Sequence, residues 1–149
     1  MVKVIADILA KSRDVILMAP TGRAARVLAQ KTEHKASTIH KAIYSKACVV
    51  SKNAKDIAES EFKFVFPICK NEHDGNIVAI IDEASMVCSR KIEHELYAFG
   101  TDNLLEDLLE YVRPSYGGKI IFVGDPAQLP PVGESSSNAL RADYFKERG

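Results

Sequence analysis

Three short apolar runs punctuate the chain, and each stops at residues that turn or carry charge. "VILMAP" (Val15–Pro20) runs into Thr-Gly, "NIVAIIDEASM" loses its aliphatics at Asp82-Glu83, and "GGKIIFVGD" ends at Gly124-Asp125. Continuous apolar runs, unlike alternating ones, predict strands buried on both faces. Between them the apolar positions recur at helical spacing. Val4, Ile5, Ile8 and Leu9 predict a helix beginning at or near residue 1. Thr21 is placed to cap a second helix, "GRAARVLAQK", and Ser37 a third, "TIHKAIYSK". Leu104, Leu105, Leu108, Leu109 and Val112 give an apolar side to "DNLLEDLLEYV", which stops before Pro114. Residues 48–74 are irregular except for Phe62, Phe64 and Phe66, whose alternation predicts a strand. An insert of about 47–76 is therefore expected to contain a hairpin. Its phenylalanines offer faces on which bases can stack, although packing on the core is the stronger reading. After Gly133 the chain is polar and predicts no more than a short helix.

Strands alternating with helices predict an α/β fold, a parallel sheet flanked by helices on both faces. Ligands of such sheets bind just beyond the carboxyl ends of the strands. Thr21-Gly22, Asp82-Glu83 and Gly124-Asp125 all fall there. Asp82 is placed to hold Mg²⁺, which takes one or two carboxylates along with waters and phosphates. Glu83 is placed to accept a proton from an attacking water; the plainer alternative is a strand ending in solvated acids. Gln128, in "VGDPAQLPPVG", carries a neutral amide that can bond a γ-phosphate or a water, or simply face solvent. "APTGRAA" presents backbone N–H groups at a helix start beside Arg23 and Arg26, which suits a nucleotide or a DNA backbone equally. His40 suits a base, a phosphate or a packed position.

The 149 residues fit one domain, and no stretch approaches the ~18 apolar residues of a membrane span. Charges alternate through the first residues, so no signal peptide is expected. Cys48, Cys69 and Cys88 have neither CxxC nor other metal-ligand spacing, which suits reduced thiols in a cytoplasmic protein and gives no zinc site. The net charge of zero conceals an asymmetry: residues 1–55 hold 11 Lys/Arg against 3 Asp/Glu, and residues 56–149 hold 9 against 17. A basic half suits a polyanionic partner, or solvated helix faces that happen to be basic.

Taken together, "APTGRAA", "STIH", "IIDEASM" and "GDPAQLPPVG" resemble, in order and spacing, the superfamily 1 DNA helicases, and among them the RecD-like group of the exodeoxyribonuclease V alpha-subunit type. The resemblance covers residues 1 to about 133. It implies a P-loop NTPase of RecA-like fold that binds ATP and Mg²⁺ and moves along single-stranded DNA, 5′→3′ by analogy, in DNA recombination and repair. "IIDEAS" resembles the Walker B segment, making Asp82 the Mg²⁺ ligand and Glu83 the catalytic base. "GDPAQLPPVG" resembles motif III, making Gln128 the γ-phosphate sensor. "APTGRAA" resembles motif Ia, which lays Pro20, Thr21, Gly22 and Arg23 along DNA, and "STIH" adds Thr38 and His40. Nuclease subunits are the further partners implied.

The departures are specific. No GxxxxGK[ST] loop occurs; "GGKII" enters a strand and lacks Ser/Thr after its Lys. Motifs IV to VI have no counterpart after Gly133. Residues 1–149 are thus expected to be a partial motor domain (motifs Ia to III) lacking its first strand and phosphate loop, and inactive alone. The strand at Lys119–Val123 would then form an unpaired apolar edge and invite a homodimer. The alternative is a non-catalytic nucleic-acid-binding module with a degenerate NTPase fold.

Overall fold

The computed structural model describes residues 1–51, 62–71, 73, 76–113 and 117–146. Four parallel strands form the main sheet: β1 (Asp14–Ala19), β2 (Ala36–Thr38), β5 (Ile77–Ile81) and β7 (Lys119–Phe122), in the order β2-β1-β5-β7. Helices α1 (Val2–Leu9), α2 (Gly22–Thr32), α3 (Ile39–Ile43), α4 (Leu104–Val112) and α5 (Ala142–Lys146) complete the layers. This is the α/β architecture that the apolar runs predict.

The central strand shows why those runs do not alternate. All five residues of β5 are buried. Ile77, Ala79 and Ile81 join Met18, Ile39, Ile43, Leu105 and Leu108 in one core cluster. Val78 and Ile80 join Leu17, Ala6 and Leu28 in another. Successive strand side chains point to opposite faces, so a strand covered on both sides must be apolar throughout. Each fully buried aliphatic contributes about 1.5–3 kcal/mol, an upper figure because denatured chains already bury some surface.

The first helix departs from expectation in its facing. Val2, Ile5, Ala6 and Leu9 meet the sheet, whereas Val4 and Ile8 are each 60% exposed. Thr21 caps α2 as its side chain predicts, accepting from the Ala24 N–H at 3.2 Å. The third helix is capped by Thr38 rather than Ser37, which lies inside β2; the helix therefore starts later and is shorter than "TIHKAIYSK" suggests.

A second sheet lies within and beyond the insert. β3 (Cys48–Ser51) pairs antiparallel with β4 (Phe62–Phe66), and β4 pairs parallel with β6 (Tyr97–Phe99). The turn between β3 and β4 falls on residues 52–61, outside the described residues. Phe66 stacks on Phe99 with ring centroids 4.5 Å apart and packs against the main core, while Phe64 is exposed. Among the described strands, β7 has β5 as its one partner and forms an edge beside a 550 Å³ groove lined by Ile120, Phe122 and Phe145. Among the described residues no helix is long and apolar enough to cross a membrane.

Candidate nucleotide and nucleic-acid site

Register places the two basic segments side by side. Ala19 of β1 pairs with Thr38 of β2, so Pro20–Arg23 and Thr38–His40 leave the sheet from neighbouring strand ends. The Thr21 hydroxyl accepts from the first turn of α2 and leaves Gly22 and Arg23 exposed on that turn. Arg23 and Arg26 are exposed and make no ion pair among the described residues. The Thr38 hydroxyl accepts from the Lys41 N–H at 3.2 Å, so this side chain shapes α3 first. His40 is exposed at its edge, yet its ring lies 5.5 Å from Tyr44 and 5.4 Å from Phe99. These apolar surroundings lower its pKa, and the nearby Asp107 charge opposes them only in part. The imidazole is therefore neutral at neutral pH.

The two acids sit where β5 turns. The Asp82 N–H donates to Met18 O at 2.9 Å, which continues the ladder one residue past the strand. Glu83 then adopts φ 52° and ψ 41°, a left-handed conformation that few residues other than glycine adopt and that costs roughly 1–2 kcal/mol. The turn re-aims the pair, which on a continuing strand would point to opposite faces. Asp82 is half-buried and Glu83 exposed, and neither carboxylate makes a hydrogen bond or ion pair among the described residues. One uncommitted carboxylate at a strand end fits hydrated Mg²⁺, which retains waters and needs no cage of protein ligands.

Beside this turn lies the start of "GDPAQLPPVG". Val123 donates to Ile81 O at 2.8 Å and accepts from the Ala84 N–H at 2.9 Å. Gly124 approaches so closely that a Cβ there would lie 3.0 Å from Ser85 N and 3.1 Å from Ala84 N, both backbone atoms. Asp125 accepts from the Ala127 N–H through its side chain and from the Gln128 N–H through its carbonyl, forming a tight turn. Gln128 lies on this turn, exposed along with Leu129. Ser85 is 2% exposed, and its hydroxyl makes no hydrogen bond among the described residues.

The chain after the Gln128 loop is tied to the chain after the acids. The Glu134 carboxylate accepts from the Cys88 thiol (2.9 Å), the Ser89 N–H (2.8 Å), the Ser89 hydroxyl (2.9 Å) and the Arg90 N–H (3.0 Å). Partial burial pushes the Glu134 pKa up, but the bonds from Cys88, Ser89 and Arg90 outweigh it and hold the group below its usual value. Burial raises the Cys88 thiol, and Glu134 raises it further, so Cys88 is protonated. Ser137 is buried and its hydroxyl lies 2.9 Å from both Ala84 O and Val87 O.

These ties close a cleft of about 330 Å³ whose wall includes Pro20, Thr21, His40, Arg90, Phe99 and Val132. The structure therefore gathers Pro20, Thr21 and His40 on one cleft, and joins Asp82-Glu83 to the loop carrying Gln128 at a separate strand end. No motif or spacing in the sequence marks Arg90, Phe99 or Glu134. A three-residue strand carries too short an alternation to be noticed, and Glu134 follows a glycine in a run of serines.

The comparisons agree with this fold. A family model described as an AAA domain matches residues 1–143. An uncharacterized protein of Acanthamoeba polyphaga mimivirus is 33% identical over 102 residues, covering 67% of this chain and 17% of that protein. An uncharacterized protein of Methanocaldococcus jannaschii is 34% identical over 124 residues, covering 80% of this chain and 9% of that protein. The chain thus spans less than a fifth of the length of either relative. With the match extending over nearly all its residues and the parallel sheet beneath it, the chain belongs to the AAA domain family, in its helicase-like form.

Proposed function

We propose that this chain supplies the motif Ia to III face of an ATP-dependent DNA helicase motor. Asp82 holds the metal, Glu83 takes a proton from the attacking water, and Gln128 senses the γ-phosphate. Pro20, Thr21, Gly22, Arg23, Thr38 and His40 lie along single-stranded DNA. When bound, Mg²⁺ neutralises charge on the β- and γ-phosphate oxygens. The observation that carries the reading is the contact between Ala84-Ser85 and Val123-Gly124: the turn with the two acids and the loop with Gln128 share a backbone hydrogen bond. A change at one is felt at the other, as coupling of hydrolysis to strand movement requires. The RecD-like refinement, 5′→3′ movement in recombination or repair, is proposed on the motif resemblance alone.

ATP turnover tests this, measured with and without single-stranded DNA on the chain alone and on a protein joining it to a phosphate loop and a second motor domain. DNA-stimulated turnover in the joined protein alone, abolished by Glu83→Gln with DNA binding retained, is the expected result. A joined protein that binds DNA without turnover supports the second reading, a non-catalytic nucleic-acid module. We also propose the open edge of β7 as a homodimer contact, for which light scattering that finds a monomer at high concentration is the adverse result.

A further inference from the structure

We infer that Ser85 is a positioning residue for Asp82: its hydroxyl, buried and unpartnered at the turn after β5, is the donor that orients the Asp82 carboxylate when Mg²⁺ is bound. The inference rests on the reading of Asp82 as the metal ligand and adds the group that holds this ligand in place.

One turn holds both an acceptor without a donor and a donor without an acceptor. Asp82 is half-buried, and its carboxylate makes no hydrogen bond or ion pair among the described residues. Ser85, three residues on, is 2% exposed. Among the described residues its hydroxyl is the one buried side-chain polar atom with no partner. A buried hydroxyl left unpaired opposes folding, and in a native structure each such group calls for a reason. Alanine would fill nearly the same space without that penalty. Carboxylates that hold metals are themselves hydrogen-bonded, and the partner sets their orientation. A spare donor one turn from a spare carboxylate is what such a pair requires before the metal is bound.

The turn keeps its shape without the Ser85 hydroxyl. The Ser137 hydroxyl lies 2.9 Å from both Ala84 O and Val87 O, on either side of Ser85. The Met86 N–H donates to Glu83 O and the Val87 N–H to Ala84 O, each at 3.1 Å. The Ala84 N–H donates to Val123 O, and Gly124 packs against the backbone nitrogen of Ser85. The structural tasks at this turn thus fall to the backbone and to Ser137. Rotation about one side-chain bond is enough to bring a serine hydroxyl to a new acceptor, so Ser85 can take up its partner with the backbone unmoved.

The test reads stability and metal requirement separately in Ser85→Ala. Without metal or nucleotide, the melting temperature of the chain should not fall, and a rise of about 2–4 °C is expected once the unpaired hydroxyl is gone. The second measurement uses the protein that joins the chain to a phosphate loop and a second motor domain. It finds the Mg²⁺ concentration that half-saturates binding of a fluorescent, non-hydrolysable ATP analogue. Ser85→Ala should raise that concentration about 10- to 100-fold, as loss of a metal ligand's partner does. Asp82→Asn is the control and should raise it at least as far. A hydroxyl with a structural role alone would do the opposite on removal, lowering the melting temperature and leaving the Mg²⁺ requirement where it was. Either of those results in Ser85→Ala, with the requirement raised in Asp82→Asn, overturns the inference and leaves the Asp82 reading standing. An unmoved requirement in Asp82→Asn overturns both.

Discussion

The Tyr44 hydroxyl donates to the Asp107 carboxylate at 2.6 Å, and both residues are buried. Asp107 also accepts from the Thr101 N–H and from the Thr101 hydroxyl at 2.7 Å. One carboxylate on α4 thereby fixes the helix that carries His40 and the turn that follows Phe99.

Tyr44→Phe removes one donor from a buried carboxylate, a loss worth about 1.5–3 kcal/mol for a bond to a charged group. For a chain of this size that lowers the melting temperature by roughly 2–4 °C per kcal/mol. An unchanged melting temperature would sink the idea that this bond organises the cleft. Burial, and then the bond to Asp107, raises the Tyr44 pKa above its ordinary value. A group whose pKa is raised on folding stabilises fully below its unfolded pKa, about 10, and loses that contribution as pH rises beyond it. The alkaline loss of stability should accordingly be shallower in Tyr44→Phe than in the parent, as pH-dependent thermal melts would read.

Glu134→Gln tests the tie between the segment after the Gln128 loop and Cys88–Arg90. The Glu134 pKa is lowered on folding, so its contribution is present above the unfolded carboxylate value of about 4.3 and is lost as pH falls through the folded value. The variant should melt below the parent at pH 7, and the gap should close under acid conditions. A gap that persists at pH 3 would show that packing rather than charge holds the segment.

Gly124→Ala places a methyl group against two backbone nitrogens and Leu140. Backbone cannot yield as a side-chain tip can, so the cost should fall in the overpacking range of about 1–3 kcal/mol. Chemical denaturation measures it. A neutral result would mean that the two strand-end loops have room to separate.

Glu83→Gly should stabilise the fold by up to about 1 kcal/mol while removing the proposed base, because glycine adopts the left-handed conformation freely. Strain retained at a position where a simpler residue folds better is what a functional constraint looks like. Loss of stability in this variant would indicate instead that the Glu83 side chain supports the turn.

Much of the sheet was legible because covered strands leave a one-dimensional mark: β5, buried throughout, and its neighbours β1 and β7, exposed only at their first residues, are the three apolar runs. Thr21 was legible as a cap because its hydroxyl needs only the residues just after it. Ser37 was misread because Ser37 and Thr38 are both good caps, and pairing with β1 decides between them. β2 and β6, three residues each, owe their extension to partners distant in the chain. The acids and Gln128 stood out by residue type. The cleft did not, since Thr21, His40, Arg90, Phe99 and Val132 come from five separate segments that only the tertiary fold assembles.

The bonds from Asp82 N to Met18 O, from Val123 N to Ile81 O and from Ala84 N to Val123 O form an unbroken crosswise row over three strands. Hinging within that row would break buried backbone bonds, each costly to leave unmade. The sheet end is therefore a fixed beam, and beyond Gly124 the residues Asp125–Pro130 stand exposed to solvent.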